Sequence, residues 1–374
     1  MRALLVVLSL LCAPAAIAAG QHPVARAKDV YARAIELESQ GDDAAALALL
    51  WEAAGLAPHD PDIQDRLGQA LERIGALDAA VDAYRAAVSE RPGFRQATNH
   101  LILALVKSGK ADEAVARARA LADAAPHDAS SYFTLGLAQS EQDEAAAIKS
   151  FRRALELAPA HALARYNLAL VLKRADRLQE AIDELHRAIA IEPRAEAYYT
   201  LGVIYWHQGE LDRAASALNA AIAANPRYVD AHSTLGAVLK DLRDWDRAAA
   251  ALRRAIALQP EIPGAHYTLG QVLMLSGNDQ GAQAELAEAE RLRRRGEVEQ
   301  EARVWTVLGT QKLDGGNLID ALDCFRRATT SLDTYAPAHY QMGRTLQRLG
   351  QNEAAAAAYA RARQLNASLI PPRD

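Results

Sequence analysis

Aromatic residues are scarce in this sequence: Phe, Tyr and Trp together make up 5% of 374 residues, with four Phe, four Trp and twelve Tyr. A core built on large rings is therefore excluded, and packing must rest on small aliphatic side chains. Cysteine is scarcer still. Of Cys12 and Cys324, the first lies in an apolar leader, so removal of that leader leaves one thiol and no internal disulfide. Positive charge is not in excess, since 42 Lys and Arg face 47 Asp and Glu for a net charge of -5. Without a basic field there is nothing to draw the chain onto phosphates, and nucleic acid is excluded as a partner. No apolar run after residue 20 is long enough to cross a bilayer, which needs about 20 residues.

Chemical signatures are missing as well. No HExxH, no CxxC and no His pair at helical spacing occurs, so no metal site is expected. The glycines fall singly, so no Gly-rich phosphate cradle and no cofactor site is expected either. No residue asks for a catalytic role. The expectation is a protein that is not an enzyme.

The leader itself is informative. Residues 1–20 place Arg2 before an apolar stretch from Ala3 to Leu11, followed by small residues and Pro14. That order is a secretory signal peptide, with cleavage after Ala18 or a residue or two later. Export to a periplasmic location is the expectation. Two alternatives stay open: a lipid on Cys12, disfavoured by Leu10 and Leu11 before it, and an uncleaved anchor, which would be the chain's one route to a membrane.

What the sequence has is alanine and a period. From residue 27 a large apolar residue followed by a small one recurs, as in Leu67-Gly68, Leu135-Gly136, Leu201-Gly202, Leu235-Gly236, Leu269-Gly270, Leu308-Gly309 and Met342-Gly343. Ala34, Ile102 and Ala169 fill the small slot in three further repeats, and successive slots are 34, 34, 34, 33, 33, 34, 34, 39 and 34 residues apart. Eleven residues after Gly136, and twelve after every other slot, stands Ala: 46, 80, 114, 147, 181, 214, 248, 282, 321 and 355. Gly costs about 1 kcal/mol inside a helix relative to Ala, so its recurrence needs a packing reason. The expected reason is close approach of two helices, Gly on the first against Ala on the second.

Four residues beyond each Ala comes a core residue, among them Leu50, Tyr84, Phe151, Leu185, Phe325 and Tyr359. Pro58, Pro92, Pro126, Pro159, Pro193, Pro226 and Pro260 then stop the second helix in the first seven repeats. Taken together, these residues resemble the tetratricopeptide repeat family. The resemblance implies an all-α solenoid of about ten helix-turn-helix hairpins stacked into a right-handed superhelix, with the first helices lining a concave groove. It gives repeats 1–8 over residues 27–301, repeats 9 and 10 over 302–367, and a short tail, 368–374.

Three departures stand out. Repeat 1 has Arg33 where others place Leu, which suits a polar cap. Repeat 3 has Ile102 in the small slot and Ala118 in the aromatic one, so bulk is exchanged and the pairing locally displaced. The 39-residue step holds a charged insertion near 291–301, RLRRRGEVEQE, with no Pro. It either lengthens a helix by more than a turn or opens a jog. His232, His266 and His339 share a slot with Tyr132, Tyr198 and Trp305, which reads as packing.

The residue three before each small slot should face the groove: Asp65, Asn99, Phe133, Tyr166, Tyr199, Ser233, Tyr267, Thr306 and Tyr340. Leu137, Leu170 and Val203, with Trp206 and Met274, complete a stripe at helical spacing. The candidate partner-binding groove is therefore Phe133, Leu137, Tyr166, Leu170, Tyr199, Val203, Trp206, Tyr267 and Met274. Rigid rings bury much area at low entropic cost, which suits an extended polypeptide segment of another envelope protein. The alternative is a polysaccharide-guiding role in an exopolysaccharide export system, since rings along a groove also suit sugars. The Lys and Asn clamp by which family members hold acidic peptide ends is absent, as is the Asn ladder of some glycosyltransferase arrays apart from Asn167; Thr134, Thr200, Thr234 and Thr268 stand there. The Ala-rich last helix is expected to offer a face for self-association.

Overall fold

A computed structural model describes residues 23–366. The expected signal peptide, residues 1–20, and the expected tail from 368 lie outside the described residues.

Among the described residues there are nineteen helices and no strands. The helices fall into two compact units that divide at Glu210/Leu211, within the sixth repeat. In the first unit α1 (Pro23–Ser39) pairs with α2 (Asp43–Leu56), α3 (Pro61–Arg73) with α4 (Leu77–Glu90), and α5 (Arg95–Lys107) with α6 (Ala111–Ala124). α7 (Ala129–Gln139) pairs with α8 (Glu144–Leu157) and α9 (Ala162–Arg174) with α10 (Leu178–Ile191), and α11 (Ala195–His207) packs on α10. The second unit starts with α12 (Leu211–Ala224), followed by the pair α13 (Val229–Asp241) and α14 (Trp245–Leu258). α15 (Pro263–Leu275) pairs with α16 (Asp279–Asp314), α16 in turn with α17 (Leu318–Ser331), and α18 (Ala336–Arg348) with α19 (Asn352–Leu365).

Local chemistry sets these boundaries. Asp42, Asp60, Asp128, Asp143, Asp244, Asn278 and Asn317 each accept a backbone N–H of the first turn they precede. Pro61 and Pro263 open α3 and α15, where a missing N–H costs nothing. The turn inside a hairpin passes through left-handed backbone, supplied by Gly75 at φ 78° in the second repeat but by Asp176 and Arg243 in the fifth and seventh.

The glycine contacts differ from the expectation of Gly on Ala. A Cβ added at Gly68 would lie 2.5 Å from Tyr84 Cε1, and one at Gly136 2.7 Å from Phe151. At Gly236, Gly270, Gly309 and Gly343 the obstructing side chains are Leu252, Leu286, Phe325 and Tyr359. The glycine therefore makes room for the large residue one turn beyond the Ala, and the fully buried Ala lets the second helix approach. In the third repeat Ile102 and Ala118 are both fully buried, so bulk is exchanged as expected, and α5 and α6 approach less closely than the helices of the hairpins on either side.

The 39-residue step resolves into one helix. α16 runs unbroken through the charged insertion, so the second helix of repeat 8 and the first of repeat 9 are continuous. Glu290 is held by Arg293 at 2.8 Å and Arg294, Glu288 by Arg291 at 2.6 Å, and Glu299 by Arg295 at 3.0 Å. These i to i+3 and i+4 pairs lie along one helix, the arrangement that supports helical conformation. They pull the Glu290 carboxyl down to about 2.

Candidate binding surface

The first helices of the early repeats present a polar face whose groups satisfy one another. Asp65 is buried, accepting from His100 Nδ1 at 2.8 Å and from Gln69 Nε2 at 2.8 Å. It therefore ties two first helices together and does not face the groove. Asn99 Oδ1 accepts from the Thr134 hydroxyl at 3.2 Å, and Glu72 bridges Lys107 at 2.6 Å and the Tyr84 hydroxyl at 3.0 Å. Burial and the Glu72 carboxylate raise the Tyr84 hydroxyl well above the ordinary phenol range. Thr306, expected in the groove, is buried too, with its hydroxyl on the Ala302 carbonyl at 2.7 Å.

From α7 onward the same slot changes character. Phe133 and Leu137 on α7, Tyr166 and Leu170 on α9, and Tyr199, Val203 and Trp206 on α11 are all half-buried. Phe133 leans into the stack, with its ring 4.8 Å from His161 and 6.0 Å from Phe151, so part of its surface serves packing. The Tyr166 hydroxyl has no hydrogen-bond partner among the described residues. The side chains beside these rings are spent internally. Thr200 donates to the Glu196 carbonyl at 2.8 Å, and Asn167 donates to the Leu163 carbonyl at 2.8 Å. What remains on this face of α9 and α11 is ring and aliphatic surface.

In the second unit, Tyr267 and Met274 on α15 are 53% and 52% exposed. Thr268 beside them donates to the Gly264 carbonyl at 2.9 Å. Ser233 and Tyr340 are half-buried, and Tyr340 stands edge-on to Tyr359 at 5.7 Å.

The histidine slot is structural. His232, His266 and His339 are buried, and each donates from Nε2 to a carbonyl of the preceding turn: Pro226 at 3.0 Å, Pro260 at 2.9 Å and Asp333 at 2.8 Å. Gln64 and Arg165 reach the Pro58 and Pro159 carbonyls from the same register. The slot thus satisfies a carbonyl of the turn between repeats, that of a proline in four cases and of Asp333 in the fifth. Sequence comparison of the repeats grouped these residues as packing but did not reveal the shared acceptor six residues upstream.

Two cavities in the first unit are lined mainly by residues of second helices. One of about 500 Å³ lies beside Arg165 and Glu184, which pair at 2.7 Å, both largely buried. A larger one, about 980 Å³, has a hydrogen bond at its floor, Ser150 donating to Gln139 at 2.7 Å. Among the described residues no group of His, Cys, Asp and Glu is placed to hold a metal ion, and no helix is long and apolar enough to cross a membrane. Cys324 is buried and free, and burial raises its thiol above the usual range.

Comparison with known proteins follows the same lines. Sequence families described as tetratricopeptide repeat match residues 31–93, 142–194, 179–229, 234–297 and 336–368, more than half of the chain. Protein O-mannosyl-transferase TMTC3 of Homo sapiens is 33% identical over 162 residues, covering 41% of this chain and 17% of that protein. Anaphase-promoting complex subunit 3 of Dictyostelium discoideum is 36% identical over 76 residues, 20% of this chain and 8% of its own length. The chain thus spans less than a fifth of each of these relatives. A solved tetratricopeptide repeat protein from Parabacteroides merdae superposes with a TM-score of 0.53 at 18% identity, over 66% of this chain and 98% of that one.

Proposed function

Because the chain belongs to the tetratricopeptide repeat family, we propose that it is a non-catalytic exported adaptor whose first-helix face over repeats 4 to 6 binds an extended polypeptide segment. Repeats of this family serve as protein-interaction scaffolds, which supports the general role. One observation carries the finer reading. The slot that holds a buried, internally bonded Asp65 in repeat 2 holds half-buried rings in repeats 5 and 6, with Leu170 and Val203 beside them. A stack needs no such change for its own packing, and an apolar, ring-lined face suits the alternating side chains of an extended segment.

The location is proposed as periplasmic on the composition of residues 1–20. The partner is proposed as an envelope protein on that same ground. The mannosyl-transferase relative matches over 17% of its own length, so its name lends this chain no activity. A polysaccharide partner draws less support, because Thr200, Thr268 and Asn167 spend their donors on their own helices.

The test is peptide selection from an envelope-proteome display library against the immobilised chain, with a glycan array in parallel. The reading expects enriched peptides whose binding is lost in Tyr166→Ala/Tyr199→Ala, and a silent array. Glycan hits without peptide hits would replace it with the sugar reading.

A further inference from the structure

The continuous helix α16 leaves one repeat junction unmade. At the α12–α13 and α14–α15 junctions, the first helix packs on the second helix before it and buries two residues. These are the residue five before the small slot and the one directly before it. Ala231 and Leu235 do so in α13, and Ala265 and Leu269 in α15. In the second half of α16 the same positions are Val304 and Leu308, and they are 52% and 37% exposed, with Val307 beside them at 53%. The cause is topological. The preceding second helix is the first half of α16 itself, which runs straight on and cannot fold back antiparallel in front of its own continuation.

A complementary face exists at α19. In the second unit the residue one past the recurrent Ala is buried in α12, α14 and α17, each followed by a separate first helix: Ala215, Ala249 and Leu322. In α19 that residue is Ala356, and it is exposed along with Ala357 and Ala360, while Ala355, Ala358, Tyr359 and Ala362 are buried. α19 therefore presents the small outer face that α12 and α14 bury, without a first helix upon it among the described residues.

We infer that α19 of one copy docks on the second half of α16 of another, remaking the missing junction between two copies of this chain. Ala356 and Leu308 hold the register positions that the buried Ala249 and Leu269 hold in the packed pair α14 and α15, so the contact continues that junction in register. Bulk is matched across it: Val304 stands where α13, α15 and α18 carry Ala231, Ala265 and Ala338, opposite a helix whose outer face is Ala. The competing mate, the first half of another copy's α16, is polar where it would need to be apolar. Gln283 occupies the position of Ala249 and is exposed, and Glu290 is engaged by Arg293 and Arg294.

The two faces are different, so the contact is heterologous and does not close on a pair; copies add head to tail. A single helix-pair junction sits at the small end of interface sizes, below about 1,200 Å², so association of the transient kind is expected.

The test is sedimentation velocity of the full chain up to about 1 mM, alongside V304E/L308E and A356E/A360E. All four positions are exposed, so both variants are expected to keep the wild-type helicity and melting temperature. The wild type should grow past a dimer with concentration, and each variant alone should stay monomeric. An equimolar mixture of the two should stop at a heterodimer, because each supplies the face the other lacks. A wild type that stays monomeric overturns the inference. So does a dimer that A356E/A360E leaves intact, which would mean two α16 helices pair with each other, and so does a mixture that stays monomeric.

Discussion

Glycine is where single residues say most, because the chain uses it for three unrelated ends. At Gly236 it leaves space for Leu252, and an added Cβ would lie 2.4 Å from Leu252 Cγ. Gly236→Ala should therefore cost about 1–3 kcal/mol by overpacking. At Gly75 the backbone is left-handed at φ 78°, and Gly75→Ala should cost about 1 kcal/mol although nothing crowds the site. Gly296 lies mid-helix in α16, exposed, with open space around it. Gly296→Ala should add about 1 kcal/mol through helix propensity. Urea midpoints of the three variants should thus fall on both sides of wild type, and a loss at Gly296→Ala would show that the position has a packing role. Sequence alone made the Gly and Ala slots legible through their period, but not the partner of each. That partner is set by side-chain direction on the facing helix, which placed the large residue, not the Ala, over the Gly.

Among elements, α16 is the one the period could not settle. Five extra residues and a missing proline are compatible with a jog or with a longer helix, and the choice depends on whether the charges pair along one helix. They do, and the pairing makes α16 sensitive to acid. Glu290, with its carboxyl lowered from 4.5 to about 2 by Arg293 and Arg294, and Glu288, lowered by Arg291, are both partly open to solvent. A lowered carboxyl contributes stability that is present above its unfolded value and is lost as pH falls through its folded value. Amide exchange across residues 288–299 should therefore speed up as pH falls from about 4.5 toward about 2, after correction for intrinsic rates, and 1 M salt at neutral pH should act in the same direction by screening. Protection unchanged by either would show that helix propensity, not ion pairing, holds the segment. The exposure of Val304, Val307 and Leu308 was equally hidden in the sequence, because their register reads as a normal repeat.

For the whole molecule the fold was legible and the binding face only partly so. Ten repeats in phase predict hairpins because period and breakers agree. The groove slot predicted nine inward side chains, yet Asp65 and Thr306 are buried, Asp65 satisfied across helices by His100 and Thr306 within its own helix by the Ala302 carbonyl. Phe133 makes the control for the rings that remain. It packs on Phe151 and His161, so Phe133→Ala should lower the melting temperature more than Tyr166→Ala does while weakening peptide capture less. The most direct measurement titrates one selected envelope peptide by calorimetry into the wild type, Phe133→Ala and Tyr166→Ala/Tyr199→Ala. The account predicts that the double Tyr variant weakens binding at least about tenfold, an effect of about 1.4 kcal/mol, while remaining helical and cooperatively folded. Equal affinity for wild type and the double variant would contradict it, and would return those rings to the packing of the stack.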